Sequence, residues 1–198
     1  MFDRFALGSP APVLHGERVY LRPPQASDWA AWARVRAESR EFLTPWEPIW
    51  SADALSRGAF RLRLRLHQRD ARSDTGYAFL IFRRSDNALL GGITLANVRR
   101  GITQAGSIGY WIGKSFARQG FMTEAVRVVL RHSFGDLALH RIEAACLPSN
   151  TASRTLLRRL GFVEEGYARE YLRINGVWAD HLLFGLLATD RTATWVQA

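Results

Sequence analysis

The sequence predicts one domain of the α/β class, α+β in the stricter sense, in which strands and helices follow one another without a linker. Residues 108–130 carry the clearest signal, because their apolar positions change from the alternation of a strand to the spacing of a helix near Gly120. The pair Asn175-Gly176 stands between two strand-like runs, and this dipeptide is a strong signal for a hairpin turn. The 198 residues are 47% hydrophobic, which suffices for one substantial core.

Patterning predicts about seven strands and four helices within a domain at 17–190, after an irregular arm at 1–16 and before a tail at 191–198. The predicted strands lie at 17–22, 77–82, 89–98, 106–113 and 141–147, with a final pair around the hairpin turn. The first helix has Ser27 as its N-cap, the second starts at Asp53, the third spans 121 to about 134, and the fourth follows Asn150 and ends at Gly161.

The chain is strongly basic, with a net charge of +9 and a pI of about 10.9. Lys114 is the only lysine among the 27 basic residues, so this bias reflects either function or genomic base composition. A basic surface favours a polyanionic partner such as CoA or a nucleic-acid assembly, or it is simply a solvated surface. The single Cys146 fits a reducing compartment. Because no signal peptide or membrane-spanning run is evident, we expect a cytoplasmic protein without membrane contact.

The loop at 114–119 predicts a site for an anion at the start of the third helix. It carries two cations and no acid, and the first N–H groups of a helix have no partner inside it. Gly120 permits close approach, and Arg118 adds a full positive charge to that of the helix dipole. A P-loop is excluded because Ile108 would stand at its first glycine, and a G-x-G-x-x-G motif is absent. A pyrophosphate of an acyl-CoA is the remaining candidate.

These residues resemble the GCN5-related N-acetyltransferase (GNAT) family. Its cofactor loop, Q/R-x-x-G-x-G/A, is similar to residues 117–122, although the first and last positions differ here. The resemblance implies a GNAT fold, with a single mixed, mostly antiparallel sheet splayed at the fourth and fifth predicted strands. It also implies an acetyl-CoA cosubstrate and no metal. The implied cofactor-binding residues are Trp111, Ile112, Arg118, Gln119, Gly120, Phe121, Met122, Thr123, Asn150 and Ser153.

A narrower group, the ribosomal-protein-alanine N-acetyltransferases of the RimJ/RimL type, is similar at 42–48, 165–168 and 178–181. This resemblance implies transfer of acetyl to the N-terminal α-amine of a ribosomal protein that begins with Ala or Ser. The amine would attack the thioester directly in a ternary complex. A weak association with the ribosome or RNA is compatible with this acceptor, and the protein is expected to be a monomer or a homodimer.

The resemblance also implies roles for individual residues. The carbonyl oxygen of the thioester needs an N–H donor, expected from the backbone of Trp111 or Ile112. Many family members place a Tyr seven residues after the helix-starting Asn to protonate the leaving thiolate, and this chain has Leu157 there. Ser153 is the predicted substitute, with an ordinary first-turn serine as the alternative. Asn150 is expected either to bind the pantetheine arm or acceptor, or to be a plain N-cap.

The general base is left open among Glu143, Glu47 and water. Glu143 lies mid-strand, where a charge is costly to bury unless it is used or forms an ion pair. Glu47 lies in the proline-containing loop and is placed to bind a positively charged amino terminus, or it is a solvent-exposed acid. A ping-pong route through Cys146 with His181 and Asp180 is a weaker alternative, because a single strand cysteine usually belongs to the core.

Two other functions remain open at the level of sequence. The first keeps acetyl-CoA and replaces the protein acceptor with a small amine such as an antibiotic or a polyamine. The second is a basic ribosome- or RNA-binding module without enzymatic activity, which predicts salt-dependent RNA binding and no stabilisation by acetyl-CoA.

Overall fold

The structure of the protein is a computed structural model that describes residues 12–190. The strands are β1 (Leu14–His15), β2 (Val19–Arg22), β3 (Tyr77–Arg83), β4 (Leu89–Arg99), β5 (Ala105–Ile112), β6 (Arg141–Cys146), β7 (Val163–Ile174) and β8 (Val177–Leu187). The α-helices are α1 (Trp29–Glu38), α2 (Arg40–Leu43), α3 (Arg57–Arg72), α4 (Phe121–Arg131) and α5 (Thr151–Arg159). The predicted tail and residues 1–11 of the predicted arm lie outside the described residues.

All eight strands form one sheet in the order β1-β2-β3-β4-β5-β6-β8-β7. Every neighbouring pair is antiparallel except β5 and β6, which are parallel. The expected mixed, mostly antiparallel sheet is confirmed. Two elements add to the predicted set. The two-residue strand β1 pairs Leu14 with Leu21 inside the segment predicted to be irregular, and α2 is a single turn.

Two hydrophobic clusters cover the two faces of the sheet. On one face, α4 buries the apolar side that its spacing predicts. Leu157 of α5 and Leu160, just after α5, pack in the same cluster. On the other face, Trp32 of α1 and Phe60 of α3 pack with side chains of β3 and β4. Because strand side chains alternate between faces, β5 contributes to both clusters, and this places its residues between α4 and the α1–α3 layer.

The starts of the first two helices differ from the predicted ones. Asp28, and not Ser27, satisfies the chain before α1, because its Oδ2 accepts the N–H of Gln25 at 2.7 Å. The second long helix, α3, begins at Arg57, because Ser56 accepts the N–H of Ala59 at 3.1 Å with its Oγ. At each helix start, a Ser and an Asp lie close enough in sequence to cap the first turn, and the sequence alone does not show which of the two does so.

The ends of α4 and α5 and the final hairpin follow from turn chemistry. The regular part of α4 ends at Arg131, where a wider π-type turn begins, so this helix is shorter than predicted. Gly161 after α5 has φ of +90°, as expected of a left-handed C-terminal residue. Asn175 and Gly176 both have positive φ and connect β7 to β8. Within residues 12–190, no helix is both long and apolar enough to cross a bilayer.

Candidate active site

The strands β5 and β6 separate after a short parallel pairing. The pairing covers three residues of β5 and ends at Ser107 and Glu143. Beyond it, residues 108–112 continue to pair with β4, and residues 144–146 continue to pair with β8. The opening between these two segments is termed the β5–β6 gap. It confirms the expected splay and leaves backbone groups of β5 directed at an opening and not at a neighbouring strand.

Hydrogen bonding along β5 indicates which amides point into the gap. The N–H of Gly113 donates to the carbonyl of Leu90 on β4 at 2.8 Å. Successive residues of a strand direct their backbone groups to opposite sides, so the N–H of Trp111 also points towards β4, and that of Ile112 points towards the gap. Gln104, which is eight residues before Ile112, directs its backbone to the same side. Its carbonyl accepts the N–H of Arg141 on β6 at 3.1 Å, so this side of β5 faces β6.

The loop from β5 to α4 presents backbone N–H groups at the end of the gap. Gly120 is the N-cap residue with φ of +83°, and no side chain caps the helix. The helical hydrogen bonds begin where Glu124 donates to the carbonyl of Gly120 at 3.1 Å. Within the described part of the chain, the N–H groups of residues 121–123 therefore have no partner. Arg118 is exposed beside them, so the helix start has the features of an anion-binding site.

Side chains of β5 and α5 meet on the α4 side of the sheet at the gap. The hydroxyl groups of Tyr110 and Ser153 are hydrogen-bonded at 2.7 Å. The N–H of Ser153 donates to Oδ1 of Asn150 at 3.0 Å, so Asn150 is the N-cap of α5. Burial raises the pKa of Tyr110, which keeps its phenol protonated and able to donate. Burial also raises the pKa of the neighbouring Cys146 thiol.

A cleft of about 710 Å³ opens on the opposite face of the sheet, with Trp111 in its wall. The guanidinium of Arg36 lies 4.8 Å from the centre of the Trp111 ring and 2.5 Å from Oε2 of Glu47. The same carboxylate oxygen accepts the indole N–H of Trp50 at 2.8 Å. The carbonyl of Glu47 accepts the N–H of Asn175 from the hairpin turn at 2.9 Å. Contacts from three segments thus hold Glu47 at the wall of this cleft.

The cleft contains no excess of acidic side chains. Its ionisable lining residues are Arg36, Glu47, Arg63, His67 and Asp70. Burial lowers the pKa of Arg63, and so does the nearby positive charge of Arg36, because both disfavour the charged form of the guanidinium. Among residues 12–190, no group of three or more His, Cys, Asp or Glu side chains is close enough to hold a metal ion.

The sequence is similar to those of known acetyltransferases. A profile of the family described as "Acetyltransferase (GNAT) domain" matches residues 18–163. The chain belongs to the GNAT acetyltransferase family. The probable N-acetyltransferase YjcK of Bacillus subtilis is 37% identical over 178 residues, which are 90% of this chain and 98% of that protein. The ribosomal protein uS5-alanine N-acetyltransferase of Escherichia coli is 36% identical over 92% of this chain and 94% of its own length.

Solved structures agree in fold. Mycobacterium smegmatis RimJ in complex with CoA-disulfide superposes with a TM-score of 0.87 at 33% identity, over 94% of this chain and 93% of its own. The ribosomal-protein-S5-alanine acetyltransferase from Vibrio fischeri superposes with a TM-score of 0.84 at 30% identity, over 91% and 98% of the two chains. The protein is thus an acyl-CoA-dependent N-acetyltransferase of the RimJ/RimL type.

The three predicted catalytic residues of this acetyltransferase lie in different places. Ser153 lies at the gap and Glu47 at the cleft. Glu143 lies at the last paired position of β6, where its carboxylate accepts hydrogen bonds from Arg99 at 2.9 Å and from Arg141 at 3.0 Å. This is the ion pair left open as the alternative to a base. Both carboxylate oxygens of Glu143 are engaged by these two guanidinium groups, whereas the contacts of Glu47 use only its Oε2.

The arrangement also disfavours a ping-pong route. Cys146 on β6 lies opposite Leu182 on β8, so the neighbouring His181 projects from the other face of the sheet. Nδ1 of His181 lies 2.9 Å from the carbonyl of Ala179. Asp180 accepts a hydrogen bond from the hydroxyl of Tyr167. The three side chains therefore do not form a nucleophile–base pair.

Two candidate site residues of this GNAT protein, Tyr110 and Arg36, carry weak signals in the sequence. Tyr110 shares a strand face with Ile108 and Ile112, so periodicity alone assigns it to the core, although a hydroxyl in that row needs a hydrogen-bond partner. Arg36 follows Val35 in the first helix and is buried, where a guanidinium needs a partner. Its partner, Glu47, follows only after a turn that no local pattern specifies.

Proposed function

We propose that this acetyltransferase transfers the acetyl group of acetyl-CoA to the N-terminal α-amine of a ribosomal protein that begins with Ala or Ser. The β5–β6 gap is the observation that carries the proposal. It opens to the anion-binding start of α4 and the Tyr110–Ser153 pair on one side, and Trp111 lines the cleft on the other. Two substrates can therefore meet from opposite faces of the sheet, as direct attack in a ternary complex requires. We place the reaction in the cytoplasm, where such acceptors are synthesised.

The diphosphate of CoA is assigned to the start of α4. The unpaired N–H groups of residues 121–123, the positive end of the helix dipole and the charge of Arg118 favour two phosphate groups there. The pantetheine arm would then run along the open edge of β5 towards Ile112. Gln119 and Gly120 contribute backbone to this turn, and Asn150 contributes through the position that it gives Ser153.

The chemical step is nucleophilic addition of a neutral amine to the thioester carbonyl, followed by expulsion of the CoA thiolate. The amine nitrogen forms the new C–N bond, and the C–S bond breaks. The N–H of Ile112 is the proposed donor to the carbonyl oxygen, because Trp111 directs its own N–H towards β4. Ser153 donates a hydrogen bond to the departing thiolate, the amine releases one proton to a base, and the thiolate takes up a proton from solvent.

Glu47 is the proposed acceptor of that proton, directly or through one water. Arg36 neutralises the carboxylate, and this matters because an unpaired acid would bind the ammonium form and suppress the nucleophile. A free α-amine has a pKa of about 7.7 to 8, so the neutral form is already abundant near neutral pH. Water remains the alternative base if Glu47 acts only in binding.

The balanced charge of the cleft favours a peptide over a polyamine or an aminoglycoside. A polycation would be expected to meet a cluster of acids, and the cleft has two acidic and two Arg side chains among its ionisable residues. Family membership similarly favours an enzyme over a basic RNA-binding module. A weak ribosome affinity is compatible with the proposed acceptor.

The acceptor class is tested by offering acetyl-CoA with peptides that begin with Ala, Ser or Met, and with a polyamine and an aminoglycoside. The matched control is the Ala peptide already acetylated at its N-terminus. We expect CoA release with the Ala and Ser peptides and a mass gain of one acetyl group at the N-terminus. Higher kcat/KM for either small amine than for every peptide would refute the protein acceptor, and RNA binding without any CoA release would refute catalysis.

A further inference from the structure

Arg18 comes from the turn before β2 and reaches the first turn of α4, more than 100 positions later in the sequence. Its Nη1 donates to the carbonyl of Gln119 at 3.2 Å, and its Nε donates to Oε2 of Glu124 at 3.1 Å. Its guanidinium lies 4.9 Å from the centre of the Phe121 ring. The side chain is fixed by these contacts although it is half exposed, at 50% of its possible area. Such long-range fixation is unusual for an exposed arginine, which normally gains little from one partner.

The third nitrogen of this guanidinium occupies the space above Gly120. Nη2 of Arg18 lies 3.0 Å from the position that a β-carbon at residue 120 would take. Within residues 12–190 this nitrogen has no hydrogen-bond partner. It therefore offers a free donor and a positive charge beside the N–H groups of residues 121–123, where the proposed function places the CoA diphosphate.

Glu124 explains why a cation is needed at this position. Its Oε1 accepts the backbone N–H of Arg18 at 2.7 Å and that of Val19 at 3.2 Å, which attaches β2 to the first turn of α4. The carboxylate is only 15% exposed and lies one turn from the proposed phosphate site. Without Arg18 its negative charge would repel a diphosphate, because charges separated by less than a Debye length are incompletely screened.

We propose that Arg18 is a CoA-binding residue that contacts the diphosphate through Nη2, holds the Gln119 carbonyl turned away from the site, and neutralises Glu124. The inference rests on the proposed location of the diphosphate. It assigns a function in cofactor recognition to the turn before β2, a strand that β3 and β4 separate from β5 in the sheet.

The test compares Arg18→Gln with Arg131→Gln by calorimetric titration of CoA and of 3′-dephospho-CoA. Arg131 is a matched control, because it donates from the last turn of α4 to the carbonyl of His15 at 3.4 Å, about 15 Å from the helix start. We expect Arg18→Gln to raise the Kd of both ligands about tenfold, as loss of a charged hydrogen bond predicts. Arg131→Gln should leave both values within about twofold of the wild type.

Steady-state kinetics add a readout that loss of stability would not produce. At saturating acetyl-CoA, Arg18→Gln should retain its kcat, with the increase confined to the KM for acetyl-CoA. Glu124→Gln introduced into Arg18→Gln should recover part of the lost affinity, because it removes the unmasked negative charge. Arg18→Lys keeps the charge without the planar fork, and it should lose less affinity than the Gln variant. It also serves as the second variant if Arg18→Gln does not fold.

Arg118→Gln distinguishes failure of this inference from failure of the proposed site. If Arg118→Gln weakens CoA binding and Arg18→Gln does not, the α4 site stands and the assignment of Arg18 is wrong. If neither substitution changes an otherwise normal Kd, the diphosphate binds elsewhere and both fall. A loss confined to CoA, without any loss for 3′-dephospho-CoA, would overturn the diphosphate contact in favour of the 3′-phosphate.

Discussion

Replacing Tyr110 by Phe removes one hydroxyl from the β5–β6 gap and leaves the ring in place. That hydroxyl makes a 2.7 Å hydrogen bond to Ser153. Either hydroxyl could donate in this bond, and we expect the phenol to be the donor to the serine oxygen because a phenol is the stronger acid of the two. The hydroxyl proton of Ser153 is then directed away from Tyr110 and is available to the departing thiolate. We therefore propose Tyr110 as a positioning residue, and its loss should affect kcat more than the KM of either substrate.

The expected magnitude follows from one buried hydrogen bond. Such a bond contributes about 1 kcal/mol net, which corresponds to about a fivefold decrease in kcat. Ser153→Ala removes the hydrogen-bond donor to the thiolate itself and should lower kcat by more, about tenfold or above. If Tyr110 acts only through Ser153, then Tyr110→Phe should have no further effect in a Ser153→Ala background. The assay is initial-rate CoA release at saturating acetyl-CoA and peptide, with the four enzymes of the cycle compared.

Tyr77→Phe is the matched control for this cycle. The hydroxyl of Tyr77 also makes a 2.7 Å hydrogen bond, to Asp74, and burial raises its pKa as well. It lies on β3, away from the gap, so the control should lose stability without losing kcat. Additive effects of Tyr110→Phe and Ser153→Ala, or a decrease of less than about threefold for Ser153→Ala, would refute the proposed pair.

Two further predictions concern the base and the response to alkali. Glu47→Gln should raise the KM for the peptide about fivefold and alter the pH–rate profile, as loss of a charged acceptor implies, whereas Glu143→Gln should leave that profile unchanged. If neither substitution changes the profile, water is the base. Burial raises the pKa of both Tyr77 and Tyr110, so above about pH 10 the unfolded chain releases phenolic protons that the folded chain keeps. Urea unfolding should therefore show stability falling as pH rises through that range, and the double Phe variant should flatten the decline.

Most of the fold was predictable because its signals are local. The periodicity of α4, the left-handed Gly161 and the Asn175-Gly176 turn each depend on a few neighbouring residues, and all are confirmed. The helix starts were less predictable, since several polar side chains lie within reach of each first turn. Ser56 and not Asp53 caps the start of α3. Asp53 instead accepts a hydrogen bond from the hydroxyl of Ser51 at 2.7 Å in the preceding turn.

The candidate site was predictable where it depends on the backbone and less so where it depends on side chains. The unpaired amides after Gly120 follow from any helix start, whatever the rest of the fold. The pairs Arg36–Glu47 and Arg18–Glu124, by contrast, join residues 11 and 106 positions apart. Their existence depends on packing between elements, and no local pattern in one sequence records that packing.

The parallel contact between β5 and β6 explains why both kinds of feature converge on one place. All other strand pairs are antiparallel and can continue until a strand ends, whereas β5 leads into α4 and β6 leads into α5, each from the same end of the sheet. The two helix starts require space there, and the strands separate to provide it. Two helix starts, one with unpaired N–H groups after Gly120 and one capped by Asn150, are thereby brought to the rim of a single opening. In the proposed function, a CoA thioester would span this opening, with its diphosphate at the start of α4 and its sulfur beside Ser153 of α5.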